Sequence, residues 1–195
     1  NWNANASVWS NGTATNVTWV DWKMNWAWSF NGTSSNIIAN LSQVSTFSVN
    51  FIYKPTNTAI SWWVNDHILT WYTSTDDNFW FTNTHSSPSF YKAFYVCNTS
   101  WTFFPCQLVT TPQWWKTYNI HLECNWNTLK IYLDWVLENT TTFTWTIRAN
   151  TSLSIWALNW NWSWFNGRID EIIIHNSVLT TAEIKNKYLA YNWFI

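Results

Sequence analysis

Ten carboxylates, four histidines and three cysteines are the residues of this chain able to do acid–base, metal or thiol chemistry. Glycoside hydrolysis with retention would need two carboxylates about 5–5.5 Å apart. Asp134 and Glu138 are four residues apart across an expected turn, so they would not share a strand face. Asp76 and Asp77 fall in a polar stretch that reads as a solvated loop. His67, His85, His121 and His175 are scattered without the spacing of metal ligands. No Ser occupies a nucleophile elbow, and no glycine-rich loop precedes a helix to cradle phosphate. Cys97 and Cys106 have a separation that suits a disulfide across a loop, with two buried thiols as the alternative. Cys124 reads as a small buried strand residue, and no CxxC pair supports zinc. Asp170 is the strongest polar candidate. Its neighbours Ile169, Ile172 and Ile174 are apolar, and a carboxylate in such a strand needs a partner or a cation.

Composition narrows the partners. Lys plus Arg total 9 against 10 Asp plus Glu, a net charge of -1, so the basic excess of a nucleic-acid-binding surface is missing. Charged residues are only 10%, so solubility must rest on Asn, Thr and Ser. Apolar residues at 47% can fill a sizeable core, and no apolar run approaches the roughly 20 residues of a membrane span. Nine Asn-x-Ser/Thr sequons would suit a secreted glycoprotein, but a chain this rich in Asn and Thr produces them by chance. The start, Asn1-Trp2-Asn3, lacks an initiator Met and a signal, so the expectation is one domain, 1–195, excised from a larger protein.

The elements that must carry these residues are strands. Phe47, Val49, Phe51 and Tyr53 alternate with Ser48, Asn50 and Ile52 before Pro55 ends the run. Tyr118, Ile120 and Leu122 alternate with Asn119, His121 and Glu123; Leu129, Ile131 and Leu133 alternate with Lys130 and Tyr132. Each pattern predicts a strand with one buried face. Further short strands are expected at Ala27–Phe30, Asn36–Ile38, Ile68–Tyr72, Phe79–Thr82, Phe90–Val96, Val136–Thr142, Leu153–Ala157 and Arg168–His175. Thr180-Thr181-Ala182-Glu183 has capping-box spacing and predicts one short helix near the C-terminus. Many short strands and one helix predict an all-β sandwich or barrel.

Four segments, in order, carry a resemblance. They are Ala27-Trp28-Ser29-Phe30-Asn31-Gly32-Thr33, Phe47–Pro55, Leu129-Lys130-Ile131-Tyr132-Leu133-Asp134-Trp135, and Phe165-Asn166-Gly167-Arg168-Ile169-Asp170-Glu171 leading into Leu179-Thr180-Thr181-Ala182-Glu183-Ile184. Together they resemble laminin-G-like jelly-roll domains of the concanavalin A-like lectin/glucanase superfamily, over roughly residues 21–188. The resemblance implies a two-sheet antiparallel jelly-roll sandwich with one short C-terminal helix. It also implies one structural calcium near Asp170, completed by oxygens of the N-terminal segment; a carboxylate capping backbone amides is the alternative. One glucanase lineage draws its acids from a Glu-x-Asp-x-x-Glu strand, and Glu123, Glu138, Glu171 and Glu183 never form it.

One letter is out of place. Gly occurs 3 times, where average usage of about 7% would give about 14, and Trp occurs 21 times. All three glycines follow Asn, and eight tryptophans follow Asn or Asp. Asp134-Trp135 joins two alternating segments by two residues, where type I′ geometry asks for Asp-Gly or Asn-Gly. Trp22, Trp26, Trp126, Trp135, Trp160 and Trp162 are therefore expected to stand for glycine. Reading UGA as Trp, in a lineage that reads it as Gly, would produce this pattern. The opposing reading is a genuine Trp-rich sugar-stacking face. Trp114, where the resembled family often carries Trp, is expected to be a genuine tryptophan.

The function that follows is a non-catalytic recognition module for a glycan or cell-surface ligand. It would sit beside neighbouring domains of an extracellular, cell-surface or phage-type protein, with no nucleic acid and no membrane insertion. A structural or adhesion spacer contacting protein is the second hypothesis, and a glycan hydrolase with unplaced acids the third.

Overall fold

A computed structural model describes residues 13–22, 25–31, 34–39, 46–55, 67–72, 77–82, 92–97, 102–113, 115–144, 152–155 and 165–192. Fourteen strands and one helix occur among them: β1 (Thr13–Thr15), β2 (Thr18–Trp22), β3 (Asn25–Asn31), β4 (Asn36–Ala39), β5 (Thr46–Pro55), β6 (His67–Tyr72), β7 (Asp77–Thr82), β8 (Ala93–Cys97), β9 (Phe103–Gln107), β10 (Tyr118–Asn125), β11 (Thr128–Leu133), β12 (Val136–Thr142), β13 (Ser152–Ile155), β14 (Asn166–His175) and α1 (Thr181–Asn192). The strands form two seven-stranded sheets, β1-β4-β13-β6-β7-β8-β9 and β12-β11-β10-β5-β14-β3-β2. Every pairing among the described residues is antiparallel. The expected all-β two-sheet sandwich with one C-terminal helix is what the chain adopts.

Period-two patterning builds the core. Phe47, Val49, Phe51 and Tyr53 of β5 and Tyr118, Ile120, Leu122 and Cys124 of β10 face inward, meeting Phe81, Phe94, Val96 and Cys106 of the other sheet. The Phe51 and Phe81 rings cross the sandwich 5.6 Å apart in an edge-on arrangement, which suits two aromatic quadrupoles. Burial of one such ring contributes on the order of 2–3 kcal/mol. Phe165 enters the same cluster between Phe30 and Tyr53, with ring centroids 5.9 and 6.0 Å away.

Two edges are stitched together rather than left open. Thr141 Oγ1 donates to the Pro105 carbonyl at 2.8 Å, and the Asn139 amide donates to the Gln107 carbonyl at 3.0 Å. The Glu138 carboxylate accepts the Thr110 amide at 2.6 Å and its hydroxyl at 2.9 Å. These bonds tie β12 of one sheet to β9 and the segment after it, so neither edge offers a clean template for another chain.

The helix begins where its capping box requires. Glu183 accepts from the Thr180 amide and hydroxyl, both at 2.7 Å, while the Thr180 hydroxyl accepts the Glu183 amide at 3.3 Å. These bonds hold the Glu183 carboxyl below its usual range.

Candidate functional site beneath the terminal helix

The outer face of the second sheet departs from expectation. The alternation of β5 and β10 predicts one wet face, yet Ser48, Asn50, Asn119, His121 and Glu123 are all 5% exposed or less. The segment 176–180 and α1 lie over them. Ser48 Oγ donates to the Ser177 carbonyl at 2.9 Å, Asp170 and Glu171 act electrostatically on Tyr191 of α1, and Lys187 and Glu183 act so on His175.

Strand register assembles this face. Tyr132, His121, Asn50 and Ile173 lie in one row across β11, β10, β5 and β14, and Lys130, Glu123, Ser48 and His175 in the next. Asn119, Ile52 and Asp170 make a third. His121 Nε2 is 3.4 Å from Glu123 Oε1, and Lys130 Nζ is 3.6 Å from Glu123 Oε2. Tyr132 donates to Glu123 Oε2 at 3.4 Å, and its ring stands edge-on to His121 at 5.6 Å. Burial, with the Glu123 charge adding to it, pushes the Tyr132 hydroxyl up to about 12. Burial likewise raises Tyr191 to about 12, helped by Glu171 and Asp170.

Asp170 belongs to this face. Its strand bulges: Asp170 pairs with Ile52 and Ile173 with Asn50, so β14 carries one extra residue, and Glu171 takes a positive φ of 51°. Asp170 Oδ1 accepts the Glu171 amide at 2.9 Å, an amide of its own strand rather than of a neighbouring loop. Burial pushes the Asp170 carboxyl from 3.8 up to about 6; the Glu171 amide opposes the rise and the Glu171 charge adds to it. Among the described residues no group of three or more His, Cys, Asp or Glu could hold a metal. Calcium takes six to eight oxygens, so a shell at Asp170 would draw on backbone carbonyls and the N-terminal segment beside that carboxylate. Asn1, Asn3 and Asn5, the expected partners, lie outside the described residues.

A pH prediction follows. A carboxyl raised in the folded state contributes stability present below its ordinary 3.8 and lost as pH rises through about 6. His175, lowered mainly by burial, has the opposite sense: its contribution is present above 6.5 and lost as pH falls. Asp170→Asn is expected to stabilise the domain at pH 7.5 by about 1 kcal/mol, discounted for a half-exposed group. Thermal melts of both proteins from pH 4 to 8 check this, and the gain should vanish by pH 4. If a calcium sits at Asp170, the substitution instead lowers the melting temperature in millimolar calcium and not in chelator.

The other sequence-derived sites are dispersed. Of the two readings for Cys97 and Cys106, the structure shows the buried thiols rather than the disulfide. Cys106 pairs with Phe94 and Phe103 with Cys97, which puts the cysteines three ladder steps, roughly 10 Å, apart on opposite faces. A bridge tolerates no more than about 7 Å between Cα atoms. Cys97 packs with Ala93 and Tyr95 outside the main core, while Cys106 lies within it. Burial pushes the Cys106 thiol up to about 11 and Cys124 to about 12, which keeps both protonated and unreactive.

Trp126 and Trp135 stand at the tips of the β10–β11 and β11–β12 hairpins with φ of 49° and 67°. Asp134 is also positive at 49°, giving both central φ values of a type I′ turn. Trp126 is 72% exposed, and Lys185 Nζ lies 4.6 Å above the Trp135 ring. Trp22 and Trp26 are on β2 and β3 rather than in a turn, with Trp22 paired to Asn25 and Trp26 to Asp21. Trp160, Trp162 and Trp114 lie outside the described residues.

No family model matches the chain, and no curated protein matches it. Solved structures do. Domain 4 of AbnA, a GH43 extracellular arabinanase from Geobacillus stearothermophilus, in complex with arabinotriose, is similar with a TM-score of 0.72 and 19% identity, over 91% of this chain and 88% of that one. The binding domain of Paraclostridial Mosquitocidal Protein 1 gives 0.70 and 15%, over 93% of this chain and 47% of that one. The botulinum neurotoxin serotype G binding domain gives 0.71 and 14%, over 96% and 47%. The chain thus spans about half the length of the two toxin domains. At these identities the likeness is one of fold, an all-β sandwich that recurs in binding domains of larger proteins.

Proposed function

We propose that this domain is a non-catalytic recognition module that binds carbohydrate within a larger extracellular or surface-exposed protein. The observation that carries the reading is the match, nearly end to end in both chains, to an arabinanase domain in complex with arabinotriose. Five of the described carboxylates support it, because they already have structural work. Asp134 accepts the Asn119 amide at 2.9 Å and pairs with Lys116 at 3.0 Å. Glu138 holds Thr110, Glu183 caps α1, Glu123 is buried between His121 and Lys130, and Asp170 accepts the Glu171 amide.

A spacer contacting protein is the second reading, favoured by the match to only half of each toxin binding domain. Calcium at Asp170 stays within the proposal as a structural ion. The expressed domain on a glycan array should retain oligosaccharides at millimolar concentration and release no sugar from polysaccharide. Retention of no glycan favours the spacer. Turnover abolished by changing one carboxylate makes it a hydrolase.

A further inference from the structure

The polar face under α1 contains more hydrogen-bonding capacity than the fold uses. Both side-chain amide atoms of Asn119 and of Asn50 and His121 Nδ1 are buried and make no hydrogen bond among the described residues, and His121 Nε2 and Glu123 Oε1 have only each other, at 3.4 Å. Leaving such groups buried and unmet opposes folding, and natural interiors contain few of them. The cover above them is thin. Ile184 is the one fully buried side chain described on α1, while Lys185, Asn186, Leu189 and Ala190 are exposed. A helix that closes a sheet for stability presents a broad apolar stripe, and here the stripe is narrow, Ile184 with the half-buried Tyr188 and Tyr191.

Resting on the carbohydrate reading, we infer that this face is the sugar subsite and that α1 is the lid over it. Amide, imidazole and carboxylate side by side match the donor and acceptor pairs of adjacent sugar hydroxyls. The ring of Tyr132 stands edge-on to His121 at the end of the row and supplies apolar surface for a pyranose or furanose face. In the closed state the row is shielded, so the apparent affinity is lowered by the fraction of molecules with α1 lifted. Removing the anchor raises that fraction.

Calorimetric titration of arabinotriose into the intact domain and into Ile184→Ala, Asn119→Leu and His121→Leu tests this. Ile184→Ala should bind about tenfold more tightly than the parent. Asn119→Leu and His121→Leu should each bind at least tenfold more weakly, with Asn119→Leu melting higher than the parent. Should Ile184→Ala unfold, hydrogen exchange on the parent decides: the amides of 181–192 should lose protection when arabinotriose saturates. Equal affinity in all four proteins places the sugar elsewhere, which overturns the lid and leaves the carbohydrate reading standing. Binding to none of them, or to any glycan on the array, removes that reading and the lid together.

Discussion

Gly167→Ala is expected to destabilise the domain by about 3 kcal/mol, near the upper end of overpacking costs. A methyl at this position would lie 2.3 Å from Phe165 Cζ and 2.5 Å from the Lys54 carbonyl oxygen. Neither neighbour can retreat. Lys54 O is backbone of β5, and Phe165 is fully buried between Phe30 and Tyr53. Gly167 sits in the ladder between Phe30 and Pro55, so relief would require parting two strands of the central sheet. Chemical denaturation should show the loss, and the melting temperature should drop by roughly 6–12 °C for a chain of this size. An unchanged midpoint would mean that β14 does not approach β5 this closely. It is the tightness of the ladder that demands glycine there.

Trp126→Gly combined with Trp135→Gly is expected to stabilise by about 2 kcal/mol, raising the midpoint by roughly 4–8 °C. An L side chain in the left-handed region costs about 1–2 kcal/mol that glycine escapes. Asn127 donates its amide to the Asn125 carbonyl, closing a three-residue turn about Trp126, a geometry that strains any residue with a Cβ. Two terms oppose the gain: the greater freedom of glycine in the unfolded chain, and the Lys185 contact on Trp135, worth about 0.5–1 kcal/mol when exposed. Both are smaller than the relief. The mostly exposed Trp126 has little packing to lose. Lower stability of the double variant would show that the indoles are wanted at these tips. The coding DNA bears on the same proposal, since UGG at Trp126 and Trp135 would reject glycine in the organism's own protein.

The inward face of the sandwich was legible because alternation reports burial directly: β5, β10, β11 and β12 lie where their patterns place them. The capping box marked the start of α1 for the same reason, a local bond pattern with a fixed spacing. β9 was not legible. Phe103-Phe104-Pro105-Cys106-Gln107 has no alternation and contains a proline, which an edge strand tolerates and a central one does not. The short β1 and the start of β2 are polar and carry no burial signal.

The candidate site was only half legible. Asn119, His121 and Glu123 alternate with core residues and read as a wetted face, because nothing in β10 itself announces that a helix some sixty residues on will cover it. The available signal was register. Ser48 and Asn50 share a face with Glu123 and His121 once the two strands pair, and polar rows meeting on adjacent central strands mark a place to ask what lies above. Asp170 was found by the apolar company it keeps, yet its neighbour Glu171, whose positive φ creates the bulge, carries no local mark. The disulfide expectation failed because sequence separation fixes loop length and leaves open which faces two cysteines occupy.

Carbohydrate recognition without catalysis is the claim on which the rest depends. The most direct measurement is a heteronuclear NMR titration of the domain with arabinotriose to tens of millimolar, with the sugar's own spectrum followed in the same tube. Saturable shifts centred on Asn50, Asn119, His121 and Glu123, with the trisaccharide intact after a day, are the predicted result. Absence of any shift across that range, or the appearance of shorter sugars, would contradict it.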